Sequence, residues 1–373
     1  MDFNFTDDQI SLRDAVARWV EKGFAFERRH ALAKAGGKTR AVYGELAELG
    51  LTGLAVPEAQ GGMGFGAVEA MVVMEELGRG LVNAPYAAAA LMAPAMLQAA
   101  PAEVQAAWLP KIADATALVV PAWLERGARY QHARVSTTAT PSGSGWTISG
   151  QKSVVLAADE ADAFIVSART GAADAIGLFL VEKGADGATV AAYPTQDGGR
   201  AGELKLANAA ATLITTDGLA ALELGLDVGI AALCAEAVGA MDKLVAITVE
   251  YMNTRKQFGV AIASFQALRH RIADVKMQLE LARSMSYYAS LKLGEAPAQR
   301  RRALSQAKVQ LGHSMRFVGQ QCVQLHGGIG VTDEYIGSHY FKRLTLLETT
   351  LGDTQYHLGE VSARMQDSAG VFA

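Results

Sequence analysis

Two short stretches hold the residue types that could bind an anionic, ring-bearing ligand. The first is Thr254-Arg255-Lys256-Gln257-Phe258-Gly259, followed by Phe265-Gln266. An arginine can grip phosphate oxygens with two parallel hydrogen bonds, and Phe258 offers a flat apolar face for a ring. The same cations also suit a helix end, where they meet the negative pole of the backbone dipole, with Gly259 placed to end that helix. The second stretch is Gln324-Leu325-His326-Gly327-Gly328-Ile329-Gly330. Its glycines let a ligand approach the main chain, whose exposed N–H groups can hold phosphates. It reads equally as a glycine-rich link between two helices. It is not the dinucleotide fingerprint, because no strand precedes it. His326 could donate to a phosphate or be a packed interface histidine.

The bulk composition narrows the partners. At 373 residues, with 50% apolar and 19% charged residues, the chain is long enough for two or three packed domains. A formal net charge of -4 gives no footprint for nucleic acid. Cys234 and Cys322 lie far apart with no cysteine or histidine at ligand spacing. They suggest neither a disulfide framework nor a metal site. The acidic N-terminus lacks the pattern of a signal peptide, and the apolar run at 84–100 is interrupted by Pro85 and Pro94. A cytoplasmic protein without a membrane span is expected.

The elements that must position the two stretches follow from periodicity. Thr6 and Gln9 form a capping-box pattern that should start a helix at Asp7, running to about Arg29. Further helices are expected over 40–48, 67–79 and 103–112, with the glycine-rich piece at 60–66 as a loop. From about Leu118 the spacing shortens, and strands are expected over 134–139, 145–149, 164–168, 177–181, 189–193 and 211–215. Long amphipathic helices return over 227–256, 264–293 and 298–325. The chain thus reads as a multidomain α+β protein. It has an N-terminal helical domain at 1–117, a middle antiparallel β domain at 118–220 and a C-terminal helical bundle at 221–373.

In this layout the motifs resemble the acyl-CoA dehydrogenase family. Its Arg-x-x-Phe-Gly…Phe-Gln pattern matches Arg255, Phe258, Gly259, Phe265 and Gln266, and its Gln-x-x-Gly-Gly-x-Gly pattern matches Gln324, Gly327, Gly328 and Gly330. Its N-terminal pattern matches Pro57, Glu58, Gly61, Gly62, Glu75, Glu76, Leu77, Gly78 and Arg79. The resemblance implies that family's fold, whose C-terminal domain is a four-helix bundle. It also implies α,β-desaturation of an acyl-CoA thioester with FAD, and reoxidation by an electron-transferring flavoprotein. Each FAD lies at a subunit interface, with the arginine and the Gln…Gly-Gly segment lent to the neighbour's flavin. On that basis Arg255, Gln257, Phe258, Phe265, Gln266, Gln324, Leu325, His326, Gly327, Gly328, Asp353 and Gln355 are the expected cofactor-binding residues.

The chain departs from the family where chemistry is done. The usual catalytic glutamate falls on Leu351 and the alternative position on Gly229, neither of which can accept a proton. Glu348 and Asp353 are rival bases nearby. The flavin-facing Trp-x-Thr of the family falls on Val154 and Leu156. The family loop before it, rich in Gly and Ser, is Leu124-Glu125-Arg126-Gly127-Ala128-Arg129-Tyr130, keeping only the Glu. The losses concern a flavin in the chain's own pocket, whereas residues lent to a partner remain. The expected partner is a homologous, Glu-bearing acyl-CoA dehydrogenase subunit in a heterotetramer. The alternatives are a self-sufficient homo-oligomer with an unusual base, or a non-enzymatic CoA-ester or flavin-binding protein.

Overall fold

The structure is a computed structural model that describes residues 4–143, 145–171 and 175–365. The N-terminal part is helical: α1 (Asp7–Gly23), α2 (Phe26–Lys34), α3 (Arg40–Glu48), α4 (Ala67–Arg79), a π-helical turn at Ala87–Met92 leading into α5 (Ala93–Leu97), and α6 (Ala102–Ala113). The capping box forms, with the Gln9 N–H donating to Thr6 Oγ1 at 3.3 Å and the Thr6 N–H to Gln9 Oε1 at 3.0 Å. The helix does not run on to Arg29. It breaks at Gly23, where Phe24 leaves helical geometry to bury its ring and stack on Trp19 at 5.8 Å. Packing of one aromatic ring outweighs the continuing helical pattern.

The middle part is β: β1 (Val119–Ala122), β2 (Thr138–Ser142), β3 (Gly145–Leu156), β4 (Ala163–Thr170), β5 (Ile176–Glu182), β6 (Ala188–Pro194) and β7 (Arg200–Thr215). The order β4-β2-β3-β7-β5 returns to β4, so the sheet closes on itself and leaves few open edges. Its main ladders are antiparallel, while β1 and β2 each make a short parallel pairing with β4. The strand expected at 134–139 forms four residues later, and β7 begins well before 211. Its first half mixes Ala, Gly, Glu and Lys with two leucines and so carries little strand signal.

The C-terminal part is a bundle of α7 (Gly218–Thr254), α8 (Gln266–Lys292), α9 (Pro297–His326) and α10 (Ile336–Thr349), followed by α11 (Thr354–Met365). A two-stranded hairpin, β8 (Lys256–Gln257) and β9 (Val260–Ala261), links α7 to α8. The bundle core joins Val238, Met241 and Leu244 of α7 to Leu279 of α8, Leu311 and Val318 of α9 and Leu344 of α10. One window of α7 is apolar and long enough to cross a membrane, but 72% of it is buried inside the fold, as in the core helix of a globular domain.

By internal contacts the chain forms two units. One takes the residues up to Arg29, Ala67–Val82 and those from Ile230 onward; the other takes His30–Gly66 and Asn83–Gly229. Helix α4 therefore belongs with the bundle, and glycines explain how. A Cβ added at Gly239 of α7 would lie 1.8 Å from the Glu75 carbonyl oxygen, and one at Gly78 of α4 would lie 2.1 Å from that of Glu236. The two helices touch backbone to backbone. Ion pairs surround the crossing: Arg79 with Glu76 at 3.0 Å and Asp242 at 2.5 Å, Arg283 with Glu75 and with Asp242 at 3.2 Å, and Arg343 with Glu236 at 2.6 Å.

Gly239→Ala should force these helices apart and cost about 1–3 kcal/mol, the usual range for overpacking. A lower urea midpoint is the expected result. Gly294→Ala, whose Cβ would meet nothing within 4 Å, serves as the control and should leave the midpoint no lower than wild type.

Candidate functional site

The arginine motif is built at the end of α7. The helix stops at Thr254, whose hydroxyl bonds back to the Glu250 carbonyl at 3.0 Å, and the Arg255 N–H makes the last bond, to Tyr251 O at 2.8 Å. Gly259 was expected to end this helix and instead lies in the following hairpin. Phe258 (φ 53°) and Gly259 (φ 82°) are both left-handed, the conformation required of a two-residue hairpin turn whose twist matches its strands. Glycine takes this conformation freely. A bulky aromatic does so at a cost of order 1–3 kcal/mol. The Phe258 side chain is 92% exposed and meets Phe265 edge-on at 6.1 Å. Arg255, Lys256, Gln257 and Gln266 are all exposed around it.

The glycine motif is built at the end of α9. Gly327, with φ 65°, ends the helix and opens a 3-10 turn over Gly327–Val331. A Cβ on Gly327 or Gly328 would meet nothing within 4 Å, so this backbone is open to approach. Gln324 is exposed beside it, while Leu325 and His326 are buried. Leu325 packs with Met252 of α7 and Ile262 after the hairpin. The His326 ring lies 4.7 Å from that of Tyr251. The fold thus brings the two motifs together at one end of the bundle. The open backbone, exposed cation and bare aromatic face fit the phosphate and adenine end of FAD.

The base positions lie elsewhere. Lys308, on α9, is buried and donates to the carbonyls of Leu347 at 2.8 Å, Glu348 at 2.9 Å and Gly352 at 3.0 Å. It closes the end of α10, and burial pulls its ammonium down to about 8. His326 follows Lys308 by eighteen residues on α9, about 27 Å of helix at 1.5 Å per residue. The Leu351 turn and the arginine–glycine cradle therefore belong to separate places. Leu351 itself is left-handed (φ 58°) and half-buried. The Glu348 carboxylate is buried and accepts from the N–H of Thr354 at 3.1 Å and its hydroxyl at 2.6 Å. Asp353 caps α11 by accepting from the Tyr356 N–H at 2.8 Å. Both rival carboxylates hold the turn between α10 and α11, and Gln355 next to them is exposed. Lys308 escapes a search for motifs. Its signal is a charge at core spacing between Leu304 and Leu311.

In the β unit, Val154 is 50% exposed and Leu156 is 37% exposed, both apolar where the family places flavin contacts. Val154 has φ 52° at an irregularity between Lys152 and Val155 in the β3–β7 pairing, a rare conformation for a β-branched residue. Glu125, the surviving loop residue, is structural. It accepts from Lys152 Nζ at 2.7 Å, from the Ser136 N–H at 2.7 Å and from the Thr137 hydroxyl at 2.7 Å. These partners outweigh burial and hold its carboxyl down at about 2. Gly229 is buried within α7. The ring-facing positions here carry no side-chain donor to a flavin edge, so this region does not fit the isoalloxazine end.

Three family profiles match in chain order: "Acyl-CoA dehydrogenase, N-terminal domain" over 6–116, "middle domain" over 122–209 and "C-terminal domain" over 216–366. A benzylmalonyl-CoA dehydrogenase of Aromatoleum aromaticum is 31% identical over 78% of this chain and 80% of its own length. Among solved structures, a variant of the "Tcur3481-Tcur3483 steroid ACAD" is 29% identical with a TM-score of 0.88, covering 98% of this chain and 99% of that one. The "ChsE4-ChsE5 complex from Mycobacterium tuberculosis" is 26% identical with a TM-score of 0.88 and the same coverage. Helical, β and helical parts in this order, matched in turn by these profiles, define a flavin-dependent dehydrogenase scaffold. The chain belongs to the acyl-CoA dehydrogenase family, whose cofactor is FAD and whose reaction is the oxidation of acyl-CoA thioesters.

The Leu351 turn also sets a pH dependence. His357 Nε2–H donates to the Leu351 carbonyl at 3.0 Å, and Nδ1 faces the Ser305 hydroxyl at 3.2 Å. Burial first, and the Lys308 charge second, push this imidazole down to about 3. An unfolded histidine binds its proton near ~6.5, so between these values the unfolded chain holds more protons and stability falls as pH falls. The melting temperature should drop from about pH 6.5 downward, and less steeply in His357→Gln, which keeps a donor toward Leu351. Parallel slopes in the two proteins would rule out this source.

Proposed function

We propose that this chain is the base-lacking subunit of a heterotetrameric, FAD-dependent acyl-CoA dehydrogenase. It lends its cradle to a flavin whose ring is held by a homologous subunit carrying the catalytic glutamate. The observation that carries the reading is the contrast between the two places. Phe258 stands 92% exposed on a left-handed turn beside exposed Arg255. The base position, by contrast, holds Leu351, with both neighbouring carboxylates engaged in capping. The naming of two similar solved assemblies as two-protein pairs supports it.

Within that assembly Arg255 would hold pyrophosphate oxygens, with the Gly327–Gly328 N–H groups beside it and Gln324 and Gln266 reaching polar atoms of the nucleotide end. Phe258 and Phe265 would cover an apolar ring face. Gln257, Asp353 and Gln355 are proposed as further contacts to cofactor. Bound FAD supplies the acceptor for the hydride lost from the acyl-CoA. The partner's glutamate takes the α-proton, and an electron-transferring flavoprotein serves as the reoxidant. The reaction is proposed for the cytoplasm, where free thiols such as buried Cys234 and Cys322 persist.

The test is to purify the chain alone and with a homologue bearing Glu at the position of Leu351. Visible spectra and acyl-CoA oxidation with an artificial acceptor are then recorded for each. Colourless, inactive protein that gains flavin and activity on mixing is expected. Stoichiometric flavin with activity in the chain alone would overturn the reading in favour of a self-sufficient enzyme.

In the mixed complex, Arg255→Ala removes a charge-assisted phosphate contact and should weaken flavin binding by about 10- to 100-fold. Unchanged flavin occupancy on dilution would exclude the arginine from the cradle.

A further inference from the structure

The two halves of the cradle sit on different elements, and one buried ring joins them. His326, the last residue of α9, is only 4% exposed. Its Nδ1 lies 2.8 Å from the Cys322 carbonyl, and its Nε2 lies 2.9 Å from the Tyr335 hydroxyl. A carbonyl oxygen only accepts, so Nδ1 carries the proton. In the neutral ring Nε2 is then the acceptor, and Tyr335 donates to it. One ring face meets Tyr251 at 4.7 Å, and Tyr335 approaches at 4.9 Å.

Each contact leads to a part of the cradle. The Tyr251 carbonyl holds the Arg255 N–H at 2.8 Å, and the Arg255 carbonyl accepts from the Ile262 N–H at 2.9 Å to close the base of the hairpin. On the other side the glycine turn packs against the stem of His326 and the backbone before it. A Cβ on Gly330 would lie 3.0 Å from the Cβ of His326 and 2.8 Å from the Val323 carbonyl oxygen. Tyr335 immediately precedes α10 and fixes the exit of that turn. A polar and aromatic route from Arg255 to Gly330 therefore passes through His326, beside the apolar contact of Leu325 with Met252 and Ile262.

We infer that His326, gripped by Tyr251 and Tyr335, is the positioning residue that sets the arginine hairpin and the glycine turn relative to each other, and that it does so as a neutral imidazole. This rests on the proposal that the cradle is lent to a partner's flavin, and it adds a pH control of that same site. Protonation puts a hydrogen on Nε2, facing the Tyr335 hydroxyl that donates there. The hydroxyl must turn its hydrogen away to accept, and a charge is left among buried rings, which favours a looser packing of the two segments. Burial already disfavours the charged ring. The titratable groups around it are the Tyr251 phenol from α7, the Tyr335 phenol from the following turn and the Cys322 thiol from its own helix. The thiol is pushed up to about 11 by burial, and Glu250 of α7 acts on the Tyr335 phenol. The backbone carbonyl of Cys322 is the contact that favours the imidazolium, against burial.

The experiment measures the FAD dissociation constant of the mixed complex by flavin fluorescence from about pH 8 to about pH 5, the range in which histidines titrate. In wild type, binding should weaken about tenfold or more across one protonation. Tyr335→Phe removes the hydroxyl that holds Nε2 unprotonated, so its midpoint should move to higher pH, which a merely structural loss would not do. His326→Asn keeps a donor toward Cys322 but cannot titrate, and its dissociation constant should be flat with pH. A flat wild-type profile, binding that tightens at low pH, or an unmoved midpoint in Tyr335→Phe each overturns the inference while leaving the lent cradle intact. A mixed complex that binds no flavin at any pH overturns both. Nitrogen NMR of the labelled imidazole in the chain alone gives an independent check. The Nδ1–H tautomer is expected, and an Nε2–H tautomer refutes the assignment.

Discussion

The bundle unit depends on the crossing of α4 and α7, where Gly78 and Gly239 let two helix backbones touch. No side chain separates them, so neither helix can slide without a carbonyl striking a neighbouring atom. The consequences spread outward from that point. Arg79, one residue past Gly78, is drawn against Asp242 and Glu76, and its carbonyl accepts from the Tyr340 hydroxyl of α10. Arg283 of α8 reaches Asp242 and Glu75, so three helices meet the same carboxylates. Desolvation makes such a cluster costly, and the attractions recover that cost only if the geometry is kept. The crossing fixes where α7 points, and α7 ends at the arginine hairpin. A constraint between two glycines therefore sets the position of the arginine hairpin, about four turns away.

Helix α9 divides the chemistry. Lys308 at one level grips three carbonyls at the end of α10 and fixes the Leu351 turn. His326, eighteen residues on, fixes the cradle. Each point uses a buried nitrogen base to organise main chain, by opposite means. The lysine is a donor to a helix end, where a cation meets the negative pole of the dipole. The histidine must both donate and accept, so it works only when neutral. Glu348 and Asp353 illustrate the same economy at the first level. The carboxylate that accepts from Thr354 and the one that caps α11 are both engaged in bonds that give the turn its shape.

Much of the layout is legible in the sequence. Helices α4 and α3 fall where their periodicity places them, and the capping box marks the start of α1. The motifs were visible as residue types, and the family resemblance supplied the fold. What was not readable came from long-range contacts. Phe24 breaks a helix because its ring stacks and buries, and β7 extends through residues with no strand preference because its neighbours pair with it. Gly259 has two uses, helix stop and hairpin turn, and the pairing of Lys256–Gln257 with Val260–Ala261 decides between them. His326 looked equally suited to bonding a phosphate or packing. Its partners, Tyr335 nine residues on and Tyr251 on another helix, make it a packed histidine between the hairpin and the glycine turn.

The strain at Phe258 is the strongest reason to look beyond a single chain. A left-handed aromatic on a hairpin tip gains only the edge-on contact with Phe265, and at 92% exposure its ring buries almost no area within the fold. Asn or Gly would form the same turn without the cost. Val331 at 72%, Val260 at 45% and Ile329 at 42% are also exposed on the hairpin and the glycine turn. Scattered apolar residues on a surface need no explanation, but these occupy the segments that His326 ties together, with cations alongside. The fold keeps this end rigid through buried contacts and leaves its outer face bare. That combination costs stability in the isolated chain, which accords with the proposal that this end is lent to a partner's flavin.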